Sequence, residues 1–153
     1  MNGRILRVLL IEDDDDHAEL IKRSLTDNAM PHELVHARDG QEGLDVLLQH
    51  DLHPETHAVL PDLILLDLRL PKVDGFEVLR RIKHLESLKH IPVIILTSSE
   101  AEQDISRAYD NYANSYLVKP LNFASFSQMM KNIGFYWLGW NKFETDKGNG
   151  AGV

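Results

Sequence analysis

Five short apolar runs alternate with longer amphipathic stretches along the chain, and no other feature limits the possible folds as tightly. The runs are Ile5–Ile11, Glu33–Ala37, Asp62–Asp67, Ile91–Leu96 and Ser115–Val118. Helices are expected between and after them, near Asp14–Asn28, Gly40–Gln49, Gly75–Leu85, Glu100–Asn111 and Phe123–Leu138. Strands that alternate with helices build a parallel sheet, because each parallel pairing needs a crossover and the crossover helices cover the sheet faces. Four runs are rich in Val, Ile, Leu or Tyr, whereas Glu33-Leu34-Val35-His36-Ala37 alternates, as an edge strand with one wetter face does. In the third helix Phe76, Leu79, Ile82 and Lys83 form one stripe, leaving Glu77, Arg80 and Arg81 to solvent.

The chain has 153 residues, which suits one domain, and with no cysteine it has no disulfide to lean on. A domain of this size buries roughly 68–70% of its unfolded surface and needs none. Its formal charge of −8 excludes a basic nucleic-acid footprint, so no direct DNA binding is expected. The first apolar run stops at Glu12 and Asp13, too soon for a signal-peptide core. No run approaches the ~20 residues a membrane helix requires. A cytoplasmic protein without membrane attachment is the expectation. The long connection from Gln49 to Pro61 carries His50, His53 and His57 but lacks the partners of a zinc site, so it reads as a solvated loop. The Gly-rich segment after Lys142 reads as disordered.

Ligand sites of open parallel sheets lie beyond the carboxyl ends of the strands. Here the first run ends in Glu12-Asp13, the third in Asp67, the fourth in Thr97, and Lys119 follows the fifth. One charged residue after a buried strand means little, but three acids, a hydroxyl and an amine on one rim form a chemical set. Phosphoryl transfer to a carboxylate uses such a set. Asp13 and Asp67 offer hard oxygens to Mg²⁺, which takes one or two carboxylates and keeps several waters. Asp67 retains an oxygen to attack phosphorus, the Lys119 ammonium offsets the meeting of two anions, and Thr97 can donate to a phosphoryl oxygen. Glu12 would hold the ion through a water.

The chain resembles the receiver domain of two-component response regulators. The resemblance rests on Glu12-Asp13 after Val8–Ile11, on Asp67-Leu68-Arg69-Leu70-Pro71-Lys72-Val73-Asp74-Gly75, on Thr97-Ser98, and on Tyr116-Leu117-Val118-Lys119-Pro120. It implies a doubly wound, flavodoxin-like (βα)5 α/β fold with a five-stranded parallel sheet in order 2-1-3-4-5, spanning residues 4–138. Asp67 would be the phospho-acceptor, Asp13 a direct Mg²⁺ ligand and the Arg69 carbonyl a third protein ligand. Thr97 and Tyr116 would form a switch that remodels the face of the fourth helix, fifth strand and fifth helix. The Lys119–Pro120 bond would be cis. Arg69 and Ser99, each two residues beyond a site residue, would tune the lifetime of the phosphoryl group.

Two departures from the family pattern stand out. Tyr112-Ala113-Asn114 occupies the place of a common glycine turn, so a left-handed cap would fall on Asn114 or be absent. The acidic run Asp13–Asp16 exceeds what a metal needs, and its later members are expected to cap the first helix.

Only 34 residues follow Lys119, so no output domain is expected and the output would be a surface. Between Leu121 and Trp140 lie more large apolar residues than one stripe absorbs, Phe135-Tyr136-Trp137-Leu138 among them. Part of this set is read as a homodimer face joined to the fourth helix, fifth strand and fifth helix. The aromatic end, the histidine-bearing connection and the fourth run look most like the stand-alone regulators paired with cyanobacterial phytochrome histidine kinases. Such a kinase would donate to Asp67, docking near His17, Leu20 and Ile21. The chain would then be a signalling protein that catalyses only its own phosphotransfer and dephosphorylation. A dehalogenase-type phosphatase is disfavoured because Arg69 stands where its second Asp belongs. A flavodoxin-like cofactor binder lacks its phosphate loop. The surviving alternative is a pseudo-receiver that binds partners without phosphorylation.

Overall fold

The computed structural model describes residues 5–26 and 31–142, with residues 138–140 described by their backbone alone. The tail after Lys142, read above as disordered, lies outside the described residues. Strands β1 (Leu6–Ile11), β2 (His32–Ala37), β3 (Leu63–Leu66), β4 (Val93–Thr97) and β5 (Ser115–Val118) form one parallel sheet in order β2-β1-β3-β4-β5. They alternate with α1 (Asp15–Thr26), α2 (Gly40–Leu52), α3 (Gly75–His84), α4 (Glu102–Asp110) and α5 (Phe123–Gly134). A π-helical turn, Phe135–Trp140, extends α5.

The two-residue period of the strands divides the core. Leu9, Ile11, Ile64, Leu66, Val93 and Ile95 pack beneath α2, α3 and α4, against Leu44, Leu47, Phe76, Leu79 and Ile82. Val8, Leu10, Leu63, Leu65, Ile94 and Leu96 face the other way, against Ile21 and Leu25 of α1 and Phe126 and Met130 of α5. Each fully buried side chain of this kind contributes about 1.5–3 kcal/mol. Burial on both faces explains why β3 and β4 read as unbroken apolar runs, while β2 at the edge alternates.

The Asp-Gly pairs Asp39-Gly40 and Asp74-Gly75 are helix starts. Asp39 accepts from the Glu42 N–H at 2.8 Å and caps α2, and Asp74 accepts from the Phe76 N–H and caps α3. Gly75 is also a packing requirement, since a Cβ there would lie 2.2 Å from the Asp67 carbonyl oxygen and 2.5 Å from Leu68 Cα. Gly75→Ala should therefore cost about 1–3 kcal/mol, read as a lower urea midpoint. An unchanged midpoint would show that the loop gives way freely.

Several details differ from the sequence reading. The left-handed residue is Tyr112 (φ 67°), and Asn114 does other work: its Oδ1 accepts from the Val93 N–H at 2.8 Å and from Lys83 Nζ at 3.1 Å. All peptide bonds among the described residues are trans, Lys119–Pro120 included. α2 continues to Leu52, followed by a 3₁₀ turn at Pro54–Thr56, so half of the expected long loop is helical. Leu20 and Ile21 are buried under α1 and cannot form a docking face; its exposed side carries Glu19, Arg23 and Thr26. No described helix is long and apolar enough to cross a membrane.

Candidate functional site

Parallel register brings the strand ends to one rim. Ile11 pairs with Leu66, Leu66 with Ile95, and Thr97 with Val118, so Glu12-Asp13, Asp67, Thr97 and Lys119 follow their strands at similar height. The geometry joins them. Lys119 Nζ donates to Glu12 Oε1 at 2.5 Å and to Asp67 Oδ2 at 2.9 Å, and all three side chains are buried or nearly so. Glu12, Asp13 and Asp67 each place a carboxylate oxygen within 4.8 Å of the others, with Asp13 exposed to solvent. The Arg69 N–H donates to Asp67 Oδ1 at 3.3 Å. At the end of β4, Thr97 Oγ1 is buried without a hydrogen-bond partner. A buried hydroxyl is almost always paired, and this one closes the strand that ends on the same rim as the charged groups.

Three carboxylates crowded around one ammonium are a poor resting arrangement. Burial first, and the neighbouring Asp67 charge second, push Glu12 up to about 7 despite Lys119. Burial alone would lower Lys119, but Asp67 and Glu12 outweigh it and hold the amine above its ordinary value. A hard divalent cation on Glu12, Asp13 and Asp67 would balance this excess of negative charge, and the all-oxygen donor set suits one.

The Glu12 shift carries a pH signature. The folded state keeps its proton between about 4.5 and about 7 while the unfolded chain has lost it, so metal-free stability falls as pH rises through that window. Urea midpoints measured against pH should show this decline in the native chain and lack it in Glu12→Gln. Parallel curves would mean that Glu12 is not the group responsible.

Sequence reasoning missed the residues that hold the site in place. His36 Nε2 donates to the Glu12 carbonyl oxygen at 2.7 Å and anchors the end of β1 from the edge strand. Asp14 caps α1 by accepting from the Asp16 and His17 N–H groups, as the acidic run suggested. Asp104 of α4 gathers both residues expected to tune the phosphoryl lifetime: its Oδ2 accepts from Arg69 Nη2 at 2.7 Å and from Ser99 Oγ at 2.6 Å. Tyr116, half buried, donates its hydroxyl to the Ser99 carbonyl at 2.9 Å. A continuous chain of polar contacts thus runs from the Asp67 loop to α4 and β5. Of its members Arg69, Ser99 and Tyr116 stood out in the sequence, and Asp104, which joins them, did not. His50, His53 and His57 of the histidine-bearing segment are all exposed to solvent.

The response regulator receiver domain family matches residues 8–131. A probable methanogenesis regulatory protein of Methanothrix harundinacea, FilR2, is 47% identical over 135 residues, covering 88% of this chain and 85% of that protein. Response regulator Rcp1 of Synechocystis is 39% identical over 131 residues, covering 86% of this chain and 88% of its own. The crystal structure of its Mn²⁺-bound form superposes with a TM-score of 0.86 at 36% identity, over 92% of this chain and 99% of that one. A phosphorylated cyanobacterial phytochrome response regulator, RcpA, also gives 0.86, at 39% identity over 93% of this chain and all of that one.

Proposed function

Because the chain belongs to the response regulator receiver family, we propose that it is a single-domain response regulator whose Asp67 accepts a phosphoryl group from a histidine kinase in a Mg²⁺-dependent reaction. The receiver would span residues 4–138, with residues 139–153 as a tail. One observation carries the reading: a buried, unpartnered Thr97 hydroxyl stands at the rim where Asp67, Glu12 and Lys119 are hydrogen-bonded together. An uncharged hydroxyl donor beside a carboxylate and an ammonium suits the oxygens of a phosphoryl group on Asp67.

In the reaction an Asp67 oxygen forms a bond to phosphorus while the bond from phosphorus to the kinase histidine breaks. Glu12, Asp13, Asp67 and the Arg69 carbonyl would hold Mg²⁺, whose charge offsets that of the phosphoryl group. Lys119 neutralises the opposite side, and Thr97 donates to a phosphoryl oxygen. Thr97 and Tyr116 would then carry the change to the α4–β5–α5 face, along the contacts through Ser99 and Asp104. The protein would promote its own phosphotransfer and dephosphorylation and act on no other substrate.

Likeness to RcpA supports a phytochrome kinase and light signalling as the input. Exposed Phe135 and Tyr136, beside Trp137 and Met129 partly buried against the core, support a homodimer through α4–β5–α5 and the aromatic end. The side chains of Leu138 and Trp140, counted in that set, lie outside the described residues. An intact chain that sediments as a monomer at micromolar concentration would overturn the dimer.

The direct test is to incubate the chain with acetyl phosphate, with and without Mg²⁺, and weigh it intact. One phosphate adduct that needs Mg²⁺ is the expected result. No adduct from a folded, Mg²⁺-binding protein would favour a phosphorylation-independent interaction module.

A further inference from the structure

The contacts of Lys119 extend beyond the two carboxylates. Its Nζ also lies 3.0 Å from Nδ1 of His17, in the first turn of α1. An ammonium has three N–H donors and no lone pair, so Nδ1 accepts and the imidazole carries its proton on Nε2. All three donors of Lys119 are therefore committed, to Glu12, Asp67 and His17. The ring is held from a second side as well. Phe126 of α5 lies against it, tilted, with centroids 5.3 Å apart.

The three bonds are not equivalent. Hydrogen bonds between two charged groups are stronger than those to a neutral acceptor, so the bond to His17 is the one Lys119 gives up at least cost. A phosphoryl group arriving on Asp67 needs a donor from Lys119 while the ammonium stays beside Glu12 and Asp67.

Resting on the phospho-acceptor reading of Asp67, we propose that His17 is a positioning residue for phosphoryl transfer: its Nδ1 holds the third N–H of Lys119, fixes the rotation of the ammonium, and releases that N–H to the phosphoryl oxygen. His17 itself forms no bond to phosphorus and moves no proton. Its value lies in keeping the amine oriented before the phosphoryl group arrives, so that little rearrangement remains to be made.

His17→Leu and His17→Asn separate this role from packing. Leucine fills the space against Phe126 without an acceptor, whereas Asn Oδ1 can stand near the place of Nδ1. With acetyl phosphate and saturating Mg²⁺, His17→Leu should acquire the adduct about tenfold more slowly, and His17→Asn should recover most of the native rate. Equal rates in all three proteins would overturn the proposal, as would Leu and Asn variants slowed alike. A native chain that takes no phosphate would overturn the reading of Asp67 and this inference with it, whereas native uptake with unaltered variants overturns this inference alone. Should His17→Leu fail to fold, the bond can be read in the native sequence by long-range ¹H–¹⁵N spectra of the imidazole. The Nε2–H tautomer with an Nδ1 resonance displaced in Lys119→Met is expected, and an Nδ1 resonance unmoved by that change overturns the contact.

Discussion

Asp67→Asn should leave no phosphate adduct on the chain under conditions that label the native protein fully. The substitution is nearly isosteric, but an amide oxygen is not a nucleophile toward phosphorus and carries no charge to bind a cation. The fold should survive it. Lys119 keeps its bond to Glu12 at 2.5 Å, and losing the Asp67 charge removes the second largest cause of the high Glu12 value. Glu12 should then ionise at lower pH, and the pH-dependent loss of stability between about 4.5 and about 7 should shrink. Two measurements on one variant thus report different things. Intact mass tests whether Asp67 is the acceptor, and urea midpoints against pH test whether its charge acts on Glu12. An adduct that persists in Asp67→Asn would move the acceptor to another carboxylate of the rim.

The strand ends were legible because a parallel sheet ties sequence order to position: whatever follows a buried run must emerge on the same rim. Asp67 after Leu63–Leu66 and Thr97 closing β4 could be placed with no knowledge of loops. Edge position was legible for β2, since Glu33 and Val35 alternate with half-buried neighbours. What could not be read depends on distant residues meeting. Asp104 reads as an ordinary first-turn acid of α4, and only the fold brings Arg69, 35 residues away, onto it. Leu20 and Ile21 offered an apolar patch on α1, yet a patch on a sheet-covering helix is first of all core. The Tyr112 turn was missed for a similar reason. Asn114 tolerates a left-handed backbone better, but its side chain is engaged by Val93 and Lys83, and the strained residue falls two positions earlier.

Lys83 shows how little such anchors announce themselves. Its stem continues the apolar stripe of α3, as the spacing suggested, but its Nζ donates to the carbonyls of Lys89 and Ile91 and to Asn114 Oδ1. Burial lowers its pKa, and these three acceptors compensate the ammonium for lost water. The loop before β4 and the turn before β5 are thereby tied to one helix.

Lys119→Met should slow adduct formation by about a hundredfold or more, the usual cost of deleting one preorganised donor to a developing charge. Methionine retains much of the volume, so the effect is electrostatic. It should also destabilise the metal-free fold in a pH-dependent way. With the ammonium gone, Glu12 and Asp67 lie buried beside each other without a counter-charge, and breaking such an arrangement costs about 3–5 kcal/mol when both stay ionised. At about pH 5 Glu12 keeps its proton, since its native value is already about 7 and the variant lacks the interaction that lowers it, so only the pairing with Asp67 is lost there and the cost should be smaller. Above about 7, where the native Glu12 has lost its proton, the cost should grow. The native contribution of Lys119 behaves oppositely to that of an ordinary salt-bridged acid: its raised value means that its stabilisation is complete at neutral pH and is lost only above the usual lysine range. Urea midpoints of the two proteins should therefore converge on acidification and diverge toward pH 8. Equal separation at both ends would show that Lys119 acts by packing, and would remove the electrostatic argument for its role beside Asp67.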